Sequence, residues 1–253
     1  MPGGDRVALV TGAGSGIGAA TACRLAADGF VVAVNARELA DAQQTVHAIT
    51  ARGGRAIPLI GDVSREEDVA RVVRQCVDDL GGLHVAVNNA GVQEERAFLD
   101  LDLETWRSMT EVDLTGVFLV SLHTARHMAA HGGGTVITIS SVHEHIPRPG
   151  YAPYCASKAA VGMLMRCIAL ELAPLGVRAV SVAPGAIETA MNAQAKDDPA
   201  ELAKILDEVP VRRLGQPEEV AGLVSYLASD AAAYVTGTTI VIDGGLEQQV
   251  VSH

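Results

Sequence analysis

Aromatic residues are scarce in this sequence: three phenylalanines, four tyrosines and one tryptophan make up 3% of its 253 residues. Since 49% of the residues are nevertheless hydrophobic, the core must consist mainly of Ala, Val, Leu and Ile, which suits helices packed closely on a parallel sheet. The sequence also lacks any apolar run approaching about 18 residues, the length that a membrane-spanning helix needs. We therefore predict an α/β protein with no membrane partner.

Basic residues are also in short supply, with 19 Lys and Arg against 30 Asp and Glu and a formal net charge of −11. Because no Lys/Arg cluster occurs, we predict no nucleic-acid partner. The four cysteines (Cys23, Cys76, Cys155 and Cys167) show no paired spacing, which indicates free thiols in a reducing compartment. The first residues, MPGGDRVALV, lack a charged leader with a cleavable apolar stretch, so we predict a cytoplasmic location.

Apolar β-strand patterns alternate with helical patterns along the whole chain, and no repeat, low-complexity tract or linker interrupts them. This alternation predicts a single doubly wound α/β domain over residues 1–253 with a parallel sheet. The predicted strands are residues 7–10, 30–34, 56–60, 83–87, 135–139, 177–182 and 238–242. The pattern over residues 103–131 predicts one long helix or two consecutive ones. The segment 188–208 is predicted to be a mobile lid over the site.

A glycine-rich turn, TGAGSGIG at residues 11–18, lies between the first strand and an alanine-rich helix. Glycines let the backbone approach a pyrophosphate, and the free N–H groups of a helix N-terminus attract it. A plain turn is the alternative, but the flanking strand and helix favour a dinucleotide site. The candidate residues of this site are Gly12, Ser15, Gly16, Ile17 and Gly18.

The end of the second strand, at Asn35-Ala36-Arg37, bears on the choice between NAD and NADP. A carboxylate about 20 positions after the glycine turn would bind the ribose 2′-OH of NAD, but Ala36 occupies this place. Arg37 next to it can pair with a 2′-phosphate; the alternative is a solvated charge at the start of a helix. The sequence therefore predicts that NADP(H) is preferred and that NAD(H) is also accepted.

Polar residues follow the third and fourth strands as well. Asp62 lies where a nucleotide base would bind, unless it caps the next helix, for which Ser64 is better placed. Asn88 and Asn89, followed by Gly91, lie at the carboxyl end of a parallel strand, where ligands bind in such folds. These amides either contact the cofactor or hold the central strands in register, and we favour the second role.

The most informative stretch follows the fifth strand. Tyr154 and Lys158 are four residues apart, so they share one face of a helix, and Ser141 lies at the mouth of the strand. An ammonium one helical turn away stabilises a phenolate, and a serine hydroxyl can bind the substrate oxygen. Together with a nicotinamide, these side chains predict hydride transfer coupled to proton exchange at Tyr154; a packing tyrosine is the alternative.

Four motifs stand in the order found in the short-chain dehydrogenase/reductase family: TGAGSGIG (11–18), NNAG (88–91), YCASK (154–158) and PGAIET (184–189). The chain resembles this family over essentially its whole length. The resemblance implies a Rossmann-like fold with a seven-stranded parallel sheet, Ser141, Tyr154 and Lys158 as the catalytic group, and a homotetramer packed through the two long helices around strand five. The cofactor contacts implied are Asp62, Val63, Asn89, Gly91, Lys158, Pro184, Gly185, Ile187 and Thr189.

One position departs from the family pattern. The family commonly has Asn in the helix segment before LTG, where it supports a water linked to the lysine, whereas this chain has Asp113 in VDLTG. Asp keeps the acceptor oxygen and loses the amide donor. We include Asp113 in the predicted catalytic group and expect the rate of Asp113→Asn to show how far the position tolerates change.

The substrate segment gives a narrower resemblance. SSVHEHIPRP (140–149), PGAIETAMNA (184–193) and GQPEEVA (215–221) resemble bacterial glucose 1-dehydrogenases. The pocket candidates are Gln93, His143, His145 and Tyr151. His143, Glu144 and His145 on an extended loop do not supply a closed ligand set, so we predict no metal. We favour a pocket rim for these residues, and plain loop packing is the alternative.

These observations predict an NAD(P)-dependent oxidoreductase that interconverts an alcohol and a carbonyl, acting on a sugar or a small secondary alcohol. A 3-oxoacyl-thioester (acyl-carrier-protein) reductase is the alternative, because the general motifs fit it equally well. A non-catalytic regulator that binds the cofactor is a third hypothesis. The intact Ser141, Tyr154 and Lys158 argue against it, and only Asp113 favours it.

Overall fold

The computed structural model describes residues 5–189 and 199–248 of the chain. Seven strands form one parallel sheet. They are β1 (Val7–Val10), β2 (Val31–Ala36), β3 (Arg55–Ile60), β4 (Val85–Asn88), β5 (Gly134–Ile139), β6 (Val177–Pro184) and β7 (Thr238–Ile242). Their order across the sheet is β3-β2-β1-β4-β5-β6-β7, and every neighbouring pair is parallel.

Helices connect the strands. They are α1 (Gly16–Ala27), α2 (Leu39–Thr50), α3 (Glu66–Leu80), α4 (Leu103–Thr110), α5 (Val117–Ala130), α6 (Ala152–Leu172), α7 (Pro199–Glu208) and α8 (Pro217–Ala228). A π-helical turn, Glu111–Gly116, joins α4 to α5. Short 3-10 turns occur at Phe98–Asp100, Val142–Glu144, Ala173–Leu175, Asp230–Ala232 and Leu246–Gln248.

An apolar layer lies on each face of the sheet. Leu25 of α1, Ile49 of α2 and Val224 of α8 belong to one layer, whereas Val72 of α3 and Met128 of α5 belong to the other. Each fully buried aliphatic side chain stabilises the fold by about 1.5–3 kcal/mol. Because both faces are covered, β1, β2 and β4 are buried at every residue, which explains their continuous apolar character.

The order of the sheet reverses beside β1, which lies between β2 and β4. In an open α/β sheet, ligands bind outside the carboxyl ends of the strands at such a switch point. Val10 of β1 pairs with Val34 of β2 and with Val87 of β4, so the residues after these strands emerge at one edge. The fold therefore places the glycine turn, Arg37 and the NNAG segment together.

The predicted fold class is confirmed, with each strand boundary within two residues of its prediction. Residues 103–130 form the two consecutive helices that are one of the predicted alternatives, and the π-helical turn joins α4 and α5 without a break. The described residues contain no helix with both the length and the apolarity of a membrane span. Residues 1–4 and 249–253 of the predicted domain, and 190–198 of the predicted lid, lie outside the described residues.

The predicted helix cap at Ser64 is wrong. Helix α3 begins at Glu66, and Arg65 occupies the N-cap position without a side-chain cap. The Ser64 hydroxyl and backbone N–H both donate to Oδ1 of Asp62, at 2.7 and 2.9 Å. Asp62 thus closes a local turn before the helix, and Ser64 lies in this turn, one residue before the N-cap position.

Candidate active site

The glycine turn after β1 has almost no space for side chains. Gly12 has φ +60°, and a Cβ there would lie 2.8 Å from Cα of Ala90. A Cβ on Gly18 would lie 2.4 Å from both the Gly12 carbonyl oxygen and the Asn89 side-chain nitrogen. Because bare backbone lines this turn, a large anion can approach its N–H groups closely.

The turn is held by polar side chains from the neighbouring strands. The Thr11 hydroxyl oxygen accepts the N–H groups of Asn89 (3.0 Å) and Ala90 (3.2 Å). The Asn89 amide donates to the carbonyls of Thr11 (2.9 Å) and Gly12 (3.0 Å). Asn88 donates to the hydroxyls of Ser121 and Thr138. Both amides therefore hold the central strands in place, as we favoured from the sequence, and Thr11 is a support that we missed.

Helix α1 points its N-terminus at this turn. Ser15 is the N-cap residue, is exposed, and makes no capping hydrogen bond with its side chain. The first N–H groups of a helix have no partner within the helix, so those of Gly16, Ile17 and Gly18 are available to an anion. Thr189 lies close by, since a Cβ on Gly16 would be 3.4 Å from its Cγ2.

The segment after β6 reaches the same edge of the sheet. The Gly185 N–H donates to the carbonyl of Ile242 (3.1 Å) directly after Pro184 ends the strand. Ile187 is buried in the core beside α1 and α8 and forms an isolated bridge with Gly215. The segment that brings Thr189 to the glycine turn is therefore held in place at Gly185 and at Ile187.

Residues at the ends of β2 and β3 complete the predicted nucleotide site. Arg37 directly follows β2, is exposed, and has no hydrogen bond or ion pair with the residues that the structure describes. Asp62 and Val63 line one small cavity with Thr11 and Asn35. Arg37 and Asp62 thus follow neighbouring strands at the same edge of the sheet as the glycine turn, and the arginine is available to an anionic ligand.

The three predicted catalytic side chains are all buried, with exposed fractions of 6% for Ser141, 9% for Tyr154 and 4% for Lys158. The Lys158 ammonium lies 5.3 Å from the centre of the Tyr154 ring. It also donates to the carbonyl of Ile139 (3.4 Å), the last residue of β5. Helix α6 therefore places the phenol and the ammonium together at the end of the strand that leads into Ser141.

Asp113 lies in the π-helical turn and is fully buried. Its Oδ1 accepts the Val92 N–H at 2.8 Å, while its Oδ2 has no partner among the described residues. A Cβ on Gly91 would lie 3.1 Å from Asp113 Oδ1 and 3.6 Å from Lys158 Nζ, so the carboxyl and the ammonium both lie close to this glycine. Burial raises the pKa of Asp113, and this effect outweighs the opposing effects of Lys158 and the Val92 N–H.

We expect Asp113→Asn to become increasingly stabilising as the pH rises. Because the pKa of Asp113 is raised by folding, the folded protein holds a proton that the unfolded chain has lost. The free energy of unfolding therefore falls as the pH rises through this interval. Each unit of pKa shift corresponds to about 1.4 kcal/mol, and the amide does not titrate.

Urea unfolding of the wild type and Asp113→Asn, between about pH 4 and pH 8, measures this difference. A difference that stays constant with pH, or that favours the wild type at high pH, would contradict the assignment. The kinetics of the same variant test whether Asp113 belongs to the catalytic group.

A small cluster of side chains surrounds Tyr154. Tyr151 and Met109 pack against it, with Val92 and Cys155 at the edge of the cluster. The His143 ring meets the Tyr154 ring edge-on, with 6.2 Å between centroids, and its backbone N–H donates to the Ser141 hydroxyl (3.2 Å). Burial lowers the pKa of His143, so the ring is neutral at pH 7. These side chains therefore pack around the Tyr154 phenol.

The other two predicted pocket residues occupy different surroundings. Gln93 is half-buried on the segment after Gly91. His145 lies with Nε2 3.3 Å from Glu144 and Nδ1 3.1 Å from Glu247, so its ring faces two carboxylates rather than the cluster around Tyr154. The described residues contain no group of three or more His, Cys, Asp or Glu side chains arranged to hold a metal.

Glu144 connects several elements, a role that the sequence did not predict for it. Its buried carboxylate accepts the hydroxyls of Ser140 (2.7 Å) and Thr239 (2.8 Å) and lies 3.4 Å from Arg166. It fits only because Gly162 has no side chain, since a Cβ there would lie 2.0 Å from its oxygen. Glu144 thus fixes the loop after Ser141, and no local pattern signalled this.

A family model described as enoyl-(acyl carrier protein) reductase matches residues 12–247 of the chain. Glucose 1-dehydrogenase of Gluconobacter oxydans is 41% identical over 242 residues, which cover 94% of this chain and 90% of that protein. The 3-oxoacyl-[acyl-carrier-protein] reductase of Synechocystis is 42% identical over 243 residues, which cover 95% of this chain and 96% of that protein.

A solved structure with the same architecture is that of a gluconate 5-dehydrogenase from Burkholderia cenocepacia in complex with NADP and tartrate. It is 35% identical, gives a TM-score of 0.93, and the match covers 98% of this chain and 97% of that one. The predicted fold, family and enzyme class are confirmed by these matches. The chain belongs to the short-chain dehydrogenase/reductase family and is an NAD(P)-dependent oxidoreductase.

Proposed function

We propose that the protein is an NADP(H)-preferring dehydrogenase of a compact sugar or small secondary alcohol, with Tyr154 as the group that exchanges the hydroxyl proton. The observation that carries this proposal is the buried Lys158 ammonium 5.3 Å from the Tyr154 ring. A buried cation at this distance stabilises a phenolate. The phenolate can then take the proton of an alcohol as the alcohol is oxidised, and in the reverse direction the phenol can give its proton to the carbonyl oxygen as the carbonyl is reduced.

Each member of the proposed catalytic group has a distinct task. Ser141 donates a hydrogen bond from its hydroxyl to the substrate oxygen. Tyr154 exchanges the proton with the substrate, and Lys158 stabilises the phenolate form of Tyr154. When bound, a nicotinamide cofactor supplies or accepts the hydride. The glycine turn fits such a dinucleotide because a Cβ at Gly12 or Gly18 would fill the cradle of backbone N–H groups,.

The proposed preference for NADP(H) rests on Arg37. The residue before it, Ala36, carries no carboxylate that would repel a 2′-phosphate, and Arg37 itself has no other partner in the described chain. A guanidinium forms charge-assisted hydrogen bonds with phosphate. The solved relative that contains NADP supports use of this cofactor, and NAD(H) is accepted in its place at lower affinity.

We expect Arg37→Ala to raise the KM for NADP about tenfold and to change the KM for NAD less than about twofold, because only NADP carries the phosphate. Initial rates with both cofactors measure the two constants. Arg52→Ala, at another exposed arginine beyond the end of α2, is the matched control. An equal loss for both cofactors would remove Arg37 from the phosphate site.

The substrate class is supported by the chemistry of the pocket. The His143 Nδ1 lies 3.1 Å from the carbonyl oxygen of Ile146, and a carbonyl can only accept, so the neutral ring carries its proton on Nδ1. Its Nε2 is then an acceptor for a substrate hydroxyl. Together with the relative named glucose 1-dehydrogenase, this acceptor favours a substrate that carries a second hydroxyl group.

The second candidate is a 3-oxoacyl-thioester reductase, which the Synechocystis relative favours. A substrate panel separates the candidates: glucose, gluconate, small secondary alcohols and acetoacetyl thioesters, each with both cofactors. Turnover of sugars or alcohols supports the proposal, whereas turnover of the thioester alone supports the second candidate. Cofactor binding without any turnover would revive the non-catalytic hypothesis.

We propose in addition that the protein is a cytoplasmic homotetramer that associates through α5 and α6. Phe118 on α5 and Met163 and Leu170 on α6 are exposed, the last by 81%. Apolar side chains grouped in this way are typical of protein interfaces. Light scattering after size-exclusion chromatography measures the assembly.

A further inference from the structure

We infer that a hydrogen bond between Tyr151 and Glu95 closes one end of the substrate pocket and restricts the enzyme to compact substrates. The inference rests on the proposed function and deepens it, because it distinguishes a sugar or small alcohol from a long acyl chain. None of the sequence motifs includes Glu95, and the proposed catalytic group does not use it.

Two segments approach each other at this bond. The Tyr151 hydroxyl donates to Glu95 Oε2 at 3.0 Å, and the Arg96 N–H donates to the Gly150 carbonyl at 2.9 Å. The Arg148 guanidinium stacks 4.2 Å above the centre of the Tyr151 ring. A side-chain bond and a main-chain bond therefore join residues 95–96 to residues 148–151, and the cation–π contact holds Arg148 against Tyr151 within the second segment.

The backbone conformation at Gly150 permits the contact between Tyr151 and Glu95. Gly150 has φ +82°, and a Cβ there would lie 3.0 Å from Cγ of Glu95, so a glycine lets the two segments meet. Arg96 also pairs with Glu94 (2.6 Å) and Asp102 (3.3 Å), and Asp102 is the N-cap of α4. The segment that carries Glu95 is therefore fixed to a helix and held against Tyr151.

Both segments lie next to the proposed catalytic group. Tyr151 packs in one cluster with Tyr154 and Met109, and Tyr151 lies directly before α6, which carries Tyr154 and Lys158. On the other side, Val92 contacts the same cluster and donates its N–H to Asp113. The bond between Tyr151 and Glu95 thus spans the two chain segments that border the phenol.

The chemistry of the pair keeps this end closed at neutral pH. Burial and the hydrogen bond to Glu95 raise the pKa of Tyr151, so the phenol remains a donor, and a bond to an ionised acceptor is stronger than one between neutral groups. A compact substrate reaches Tyr154 without disturbing the pair. A long chain extending past Tyr151 must break the bond and separate the segments, so its binding is weakened.

The test uses Tyr151→Phe and Glu95→Gln in the full-length enzyme, with Tyr234→Phe, a fully exposed tyrosine, as the matched control. A ten-carbon secondary alcohol, decan-2-ol, is the probe, and its inhibition constant is measured against whichever compound of the panel turns over fastest. We expect this constant to fall about tenfold in Tyr151→Phe and about threefold in Glu95→Gln, and to stay unchanged in the control.

An unchanged inhibition constant in both variants, with normal turnover by the wild type, overturns the inference and leaves the proposed function intact. The inference is also wrong if the wild-type enzyme binds decan-2-ol as tightly as Tyr151→Phe does. Absence of turnover with the whole panel instead overturns the proposed function. Glu95 is exposed on the surface, so Glu95→Gln keeps the test decisive if Tyr151→Phe fails to fold.

Discussion

Replacing Tyr154 by phenylalanine is expected to lower kcat by about a thousandfold while the Kd of NADPH changes less than about twofold. The substitution removes only the hydroxyl, so the ring still packs against Met109 and Tyr151 and the Lys158 ammonium keeps its position beside it. Water or another side chain must then exchange the proton with the substrate. The effect therefore appears in the chemical step rather than in binding of the cofactor.

Single-turnover kinetics and fluorescence titration with NADPH measure the two quantities separately. Tyr226→Phe, which removes the hydroxyl of a tyrosine on the exposed side of α8, is the control and should retain full activity. If Tyr154→Phe keeps more than about a tenth of the wild-type kcat, another group exchanges the proton and the assignment is wrong.

Replacing Gly18 by alanine should weaken NADPH binding at least a hundredfold and destabilise the fold by about 1–3 kcal/mol. The new methyl group would lie 2.4 Å from the Gly12 carbonyl oxygen and 2.9 Å from Cα of Ala13. Backbone atoms cannot rotate away as a flexible side chain can, so the glycine turn must shift. The shift also displaces Asn89, whose amide nitrogen bonds to the Gly12 carbonyl.

Gly222→Ala is the matched control, because Gly222 also lies within a helix but has open space beside it, with one atom of Arg24 at 3.9 Å. Removing a helical glycine there should stabilise the protein by about 0.5–1 kcal/mol. Urea unfolding and NADPH titration of both variants measure the effects. Stabilisation by both substitutions would show that the turn adapts and does not need a glycine at position 18.

Much of the fold could be predicted because the local signals and the final packing agree. The apolar runs of β1 and β4 are short and bounded by polar residues, and both strands are buried on two faces in the structure. The spacing of Tyr154 and Lys158 could be converted into a shared helix face without knowing the fold. Signals of this kind depend on residues that are close together in the sequence, so they can be interpreted from the sequence alone.

The features that could not be predicted depend on distant residues or on the choice between several local partners. Tyr151 and Glu95 are 56 positions apart, and nothing near either residue indicates their hydrogen bond. Ser64 is a residue type that caps helices, but the turn closed by Asp62 delays the start of α3 by one residue, so the N-cap position falls on Arg65. His145 is a predicted pocket residue because its segment resembles that of bacterial glucose 1-dehydrogenases, yet its ring faces the carboxylates of Glu144 and Glu247.

The central place of β1 in the sheet has a consequence for synthesis of the chain. Strands β1 to β3 are complete at residue 60, but β4, which covers the other edge of β1, ends only at residue 88. At roughly 5–20 residues per second, a ribosome needs about one to six seconds for this interval. During that time the nascent sheet presents an unpaired apolar edge of sequence VALV, which is a template for aggregation between neighbouring polysomal chains.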